Sequence, residues 1–124
     1  MLSMLIIGAA AAFQAQALPP RPPGTTRTDL QRHDLSVRGW ESLQALVTFA
    51  PGASFPRHKH PGEEIIYILE GSLEYQIDGS EPRTYSAGEA LTIPAETVHA
   101  VHGDGTELAT YVVEAGKPFI VLTD

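Results

Sequence analysis

His58-Lys59-His60-Pro61-Gly62-Glu63-Glu64-Ile65-Ile66-Tyr67-Ile68-Leu69-Glu70-Gly71 joins a His-x-His pair to a β-branched run across a Pro-Gly break, and most of what the chain can be follows from that join. Side chains alternate across a strand, so His58 and His60, separated by Lys59, face one side. Pro61 and Gly62 interrupt the strand, and Glu64 to Leu69 resume it as an apolar, β-branched segment closed by a turn at Gly71-Ser72. With Glu64 turned inward, Ile66 and Ile68 turn inward with it and Glu63 faces solvent. Such neighbours make a dry cavity, in which a carboxylate is best tolerated when it is coordinated. Imidazole and carboxylate together suit one borderline divalent ion: Fe, Mn, Ni, Co or Zn.

A fourth donor comes from Gly88-Glu89-Ala90-Leu91-Thr92-Ile93-Pro94-Ala95-Glu96-Thr97-Val98-His99. A strand enters after a glycine turn, stops at Pro94, where no ladder donor is needed, turns and restarts at His99. His99 and Val101 then share one face, while Ala100 and His102 share the other. His58, His60, Glu64 and His99 are therefore the candidate metal ligands, and four donors leave positions open on a six-coordinate ion.

Working outward, strands are expected over Leu43 to Phe49, Ser54 to His60, Glu64 to Leu69, Ser72 to Ile77, Arg83 to Tyr85, Ala90 to Ile93, Val98 to Val101, Leu108 to Val113 and Phe119 to Leu122. Turns at Pro51-Gly52, Asp78-Gly79, Ala87-Gly88, Gly103-Asp104-Gly105 and Ala115-Gly116 separate them, and Thr25 to Trp40 reads as polar and irregular. Short, regularly spaced strands with glycine turns define an all-β sandwich or barrel.

The two motifs resemble those of the cupin family. Gly52, His58, His60, Glu64 and Gly71 fill every defining position of its first motif, and Gly88, Pro94 and His99 match its second. Glu96 stands where the family has a glycine and Gly103 where it has an asparagine; both departures touch turns rather than ligands. The resemblance, over roughly half the chain, implies an all-β cupin jelly-roll β-barrel (double-stranded β-helix) with metal ligands at His58, His60, Glu64 and His99. It also implies a homodimer and a small-molecule ligand or substrate. By analogy with the family, the leading activity is a mononuclear metal dioxygenase acting on a small chelating substrate. The alternatives are a redox-neutral lyase, isomerase or decarboxylase, with Glu64 as a candidate catalytic base, and a non-catalytic small-molecule or metal binder. The resemblance implies that cupin lyases of sulfonium substrates add a tyrosine near the motif glutamate, and here Tyr67 has the wrong parity to face the metal beside Glu64, which counts against the lyase.

His33 and His102 read as surface residues, and Glu63 and Glu96 as solvated turn charges. Trp40, Phe55, Tyr67 and Tyr75 read as packing, and Arg57, Lys59 and Arg83 as strand-edge cations that could steer an acidic substrate. The chain has 124 residues, a formal net charge of −7 and no cysteine. That length suits one domain, and the acidic balance without a basic run argues against a nucleic-acid partner. Met1 to Phe13 is almost wholly apolar and precedes Ala15-Gln16-Ala17, a small-x-small site. Residues 1–17 are thus expected to be a signal peptide, residues 18–24 a Pro-rich, extended linker and residues 25–124 a single cupin domain. The expected location is periplasmic or secreted, with no stable membrane insertion after cleavage, since the apolar run falls short of the roughly 20 residues a span needs.

Overall fold

The computed structural model describes residues 18–124, so the expected signal peptide at residues 1–17 lies outside the described residues. Seven strands make up the regular structure: β1 (Thr25–Asp34), β2 (Trp40–Lys59), β3 (Gly62–Ile77), β4 (Arg83–Ser86), β5 (Ala90–Ile93), β6 (His99–Glu114) and β7 (Val121–Leu122). They hydrogen-bond antiparallel in the order β1-β2-β6-β3-β4, with β5 added to β3 and β7 to β2. This is the all-β jelly-roll that the sequence implies. No helix among the described residues is long and apolar enough to cross a membrane.

Three of the expected turns are instead bends inside long strands. β2, β3 and β6 run through Gly52, Gly71 and Gly103-Asp104-Gly105, and all three strands bend at one level. There Gly105 pairs with both Phe49 and Gly71, and Gly103 pairs with both Ala53 and Leu73. The register shifts between Phe49 and Ala53 and between Ile68 and Glu70. Bulges of this kind bend a strand without ending it, and Gly52, Gly71 and Gly103, all at positive φ, supply the backbone freedom. Glycine punctuation thus marks barrel corners as well as turns.

The segment expected to be irregular is in fact β1 from Thr25 to Asp34, paired with β2 from Thr25↔Phe49 to Asp34↔Glu41. Its polar composition hid it: most of its side chains are exposed, and Thr25 and Arg27 are the alternate positions that turn toward the barrel. Residues 18–24 contain no strand or helix. Thr25 binds back to the Pro22 carbonyl and Ala50 N donates to Gly24 O at 2.9 Å, which lays the segment along the barrel rim. The last expected strand shrinks to Val121–Leu122, because Phe119 turns inward to pack on Tyr111.

Inside, Phe49, Ile66, Ile68, Leu73, Tyr75, Ile93 and Val101 form the main apolar cluster. Ala109, Tyr111 and Val113 form a second, packed against Leu43 and Phe119. Ile66 and Ile68 are fully buried, whereas Glu63, Ile65 and Tyr67 face out, so the alternation read around Glu64 holds along β3. Glu96, in the turn before β6, has φ 59°. A side chain there is strained by roughly 1–2 kcal/mol, which explains why glycine suits this position; the Lys59 ammonium, 3.1 Å from the Glu96 carboxylate, partly offsets that cost.

Candidate metal centre

His58 ends β2, Glu64 opens β3 and His99 opens β6, and the register places His58 directly opposite His99. His60 lies just beyond β2, where its carbonyl accepts from Glu96 N at 3.0 Å and ties the second motif's turn to the first. All four side chains are buried, and one ligand atom from each lies within 4.8 Å of the others. The structure therefore brings together every residue the sequence nominated.

The imidazoles are aimed. Nδ1–H of His58 donates to Pro56 O (2.7 Å), that of His60 to Phe119 O (2.8 Å) and that of His99 to Thr97 O (2.9 Å). A carbonyl can only accept, so each Nδ1 carries the proton and each Nε2 presents a lone pair to the centre, as outer partners of metal-bound histidines do. Glu64 Oε2 lies 3.1 Å from His99 Nε2 and 3.3 Å from His60 Nε2. Even so, His60 Nε2 and Glu64 Oε2 are buried with no hydrogen-bond partner among the described residues. Buried polar atoms are normally satisfied. Two orphans converging with two further donors fit a divalent ion, and His58, His60, Glu64 and His99 could hold one.

The electrostatics agree. Burial, reinforced by the neighbouring His99 and His60, lowers the His58 pKa to about 3, so this ring is neutral and ready to coordinate. Burial opposes charge on Glu64; His60 and His99 would lower its pKa only by donating from Nε2, and with their Nε2 lone pairs turned to the centre it is a divalent ion that would balance this carboxylate.

The same cavity, about 160 Å³, is lined by residues the sequence did not single out: Arg27, Glu107 and Tyr111. It also holds Tyr75, expected to be packing only. Tyr75 donates its phenolic proton to Glu107, and both are buried. Glu107 belongs to β6 beyond the Gly103-Gly105 bend, paired with Val47 and Ile68. Burial and the charge of Glu64 push its carboxyl up to about 8 against the opposing hydrogen bond from Tyr75. Burial, followed by the nearby carboxylates, likewise raises the Tyr75 and Tyr111 phenols. The clue available in the sequence was parity on β6, since Glu107, Ala109, Tyr111 and Val113 all face inward; the assumed turn at Gly103-Gly105 concealed it.

The other expectations resolve as follows. Tyr67 is exposed, as its parity requires, and Phe55 packs its ring 4.5 Å from that of His58. His33 and His102 lie on the surface. Arg57 forms a two-point pair with Asp78, Lys59 faces Glu96 and Arg83 faces Glu89, so none of these three lines the cavity. Leu18, Pro19 and Arg21 of the rim segment do line it.

Glu107 also gives a pH prediction. A carboxyl whose folded pKa, about 8, exceeds its ordinary 4.5 binds its proton more tightly in the folded state. Its contribution is complete below the unfolded value and is lost as pH rises through the folded one. Urea unfolding in the presence of a chelator should therefore show the parent protein weakening between about pH 5 and pH 9 more than Glu107→Gln does. Equal slopes would show that Glu107 is already ionised at neutral pH.

A cupin-domain family model matches residues 45–116. The chain belongs to the cupin family. Over 61 residues it is 39% identical to the dimethylsulfoniopropionate lyase DddQ of Ruegeria pomeroyi, covering 48% of this chain and 30% of that protein. The solved structure of that lyase superposes with a TM-score of 0.57 at 30% identity, over 66% of this chain and 43% of the other. KdgF of Halomonas sp. superposes at 0.60 with 26% identity, over 73% and 79% of the two chains. A structure of oxalate oxidase superposes at 0.63 with 28% identity, over 83% and 57%. Matches to curated relatives span 30% to 51% of those proteins' lengths.

Proposed function

We propose that this cupin is a mononuclear metal-dependent enzyme that moves a proton on a small chelating substrate, in redox-neutral chemistry of the lyase, isomerase or decarboxylase kind. The observation that carries the reading is the Tyr75–Glu107 pair, a buried acid committed to no metal, inside the cavity that holds the four candidate ligands. Bound by His58, His60, Glu64 and His99, a divalent ion would act as a Lewis acid on a substrate oxygen. Burial favours the protonated form of Glu107, whose carboxyl could give its proton to a developing carbanion or leaving group and then recover it. The Tyr75 hydroxyl fixes the Glu107 carboxyl and keeps one of its oxygens engaged in either state. Glu64, with two imidazoles within 3.3 Å, is committed to the centre, so the proton-handling role first considered for it passes to Glu107.

The inward tyrosine that Tyr67 cannot supply is supplied from β3 and β6 by Tyr75 and Tyr111, which removes the objection to a lyase. The likeness to the lyase DddQ supports the same class. A dioxygenase is the second reading, supported by the imidazole-rich donor set and the likeness to oxalate oxidase. Export through residues 1–17 and pairing as a homodimer belong to the same proposal.

The test uses metal-loaded protein in deuterium oxide with small hydroxy acids, diketones and phenols, followed by NMR and an oxygen electrode together. The expected result is metal-dependent turnover or solvent-deuterium incorporation without oxygen uptake, reduced about 100-fold or more in Glu107→Gln, the range general acid–base catalysis contributes. Substrate-dependent oxygen consumption, or full activity in Glu107→Gln, would overturn the redox-neutral reading.

A further inference from the structure

Arg27 differs from the chain's other buried or paired cations. It projects from β1 opposite Val47, and its side chain is only 10% exposed. Its guanidinium carbon lies 4.9 Å from the centre of the Phe119 ring and 5.6 Å from that of Tyr111. Nε donates to Asp29 Oδ1 at 2.8 Å, and among the described residues no other side-chain hydrogen bond engages the group. Arg32 and Arg57, by contrast, each spend two nitrogens on a carboxylate. Stacking between two rings and one hydrogen bond fix the guanidinium plane while its terminal nitrogens stay uncommitted.

The position matters as much as the lack of partners. Tyr111 and Phe119, the rings that hold Arg27, themselves pack 4.9 and 5.1 Å from the ring of His60. Arg27 thus stands one aromatic layer from the four-residue centre and lines the same cavity. A guanidinium largely shielded from water, with terminal nitrogens still open, is placed to gain from an anion that reaches it. Asp29 supplies little of that gain, because its side chain is 73% exposed and its charge is screened by water.

We infer that Arg27 anchors the anionic end of a small carboxylate substrate whose other end reaches the centre formed by His58, His60, Glu64 and His99, an inference that rests on the metal-site reading above. Guanidinium and carboxylate match as planar partners through two parallel hydrogen bonds, which selects a carboxylate over a neutral chelator. A divalent ion would outcharge Glu64 by one and Arg27 adds a further positive charge, so the part of the cavity they share favours an anionic ligand, although the chain as a whole is acidic. At about 160 Å³ the cavity admits only a short molecule.

Isothermal calorimetry with zinc-loaded protein tests this, using glycolate, oxalate, malonate and succinate as probes, oxamide and malonamide as neutral counterparts, and elemental analysis of every sample. The expected result is that at least one dicarboxylate binds the parent at least 10-fold more tightly than its diamide. Arg27→Gln should lose that 10-fold with its zinc content unchanged. Arg27→Lys, which keeps the charge and removes the fork, should lose most of it and covers the case in which Arg27→Gln fails to fold. Zinc-loaded parent that binds none of the dicarboxylates, or an Arg27 variant that binds them as the parent does, overturns the anchor and leaves the metal centre standing. Parent protein that takes up no zinc overturns the metal-site reading, and the anchor with it.

Discussion

His99→Ala should lower the affinity for a divalent metal by about 100-fold or more, a loss at or beyond the upper end of what removing an outer partner of a metal ligand costs. The residue is buried, its Nδ1–H is held by Thr97 O and its Nε2 lies 3.1 Å from Glu64 Oε2, so the ring has one orientation and one free lone pair. Alanine removes that donor from a pocket in which water replaces it poorly. His33→Ala and His102→Ala, both on the surface, should bind metal as the parent does. Competition titration against a chromophoric chelator reads the difference directly, and His99→Gln, which preserves much of the volume, separates loss of a donor from loss of packing. Equal affinity in parent and His99 variants would remove His99 from the centre.

Gly71→Ala should destabilise the fold by about 3 kcal/mol, combining left-handed backbone strain with overpacking. Gly71 has φ 66°, and a Cβ there would stand 2.1 Å from the Asp104 carbonyl oxygen and 2.8 Å from Gly105 Cα. Those are backbone atoms of the neighbouring strand at the corner where β2, β3 and β6 bend together, so the clash cannot be relieved by a rotamer change. Gly88→Ala is the internal control: its φ is 91°, but a Cβ would meet nothing within 4 Å. It should cost only the strain, about 1 kcal/mol. Urea unfolding of the three proteins separates the two contributions, and similar losses in both variants would mean that the corner is not tightly packed.

These two sites also mark how far the sequence could be read. The metal cluster was legible because parity, proline and glycine act locally: His58 and His60 share a face through Lys59, and Glu64 restarts the alternation that buries Ile66 and Ile68. The all-β class was legible from β-branched runs between glycines. Glycine, however, gives the same signal for a turn that ends a strand and a bulge that bends one. Gly71 and Gly103-Gly105 were read as ends, and the bend carried β6 onward to place Glu107 and Tyr111 in the cavity. Arg27 was out of reach for a different reason. An edge strand exposed along most of its length has no apolar alternation, and only pairing with β2 shows that Arg27 turns inward opposite Val47. The acidic turn residue Glu96 was read correctly as solvated, but its left-handed backbone was visible only through the family's glycine.

The central claim is that four side chains from three strand ends bind one divalent ion, and anomalous diffraction from crystals soaked in cobalt tests it most directly. The account predicts a single strong peak per chain, about 2.0–2.2 Å from the Nε2 atoms of His58, His60 and His99 and from a carboxylate oxygen of Glu64. A cluster with no peak at saturating cobalt, or a peak that leaves any of the four unbound, would contradict it.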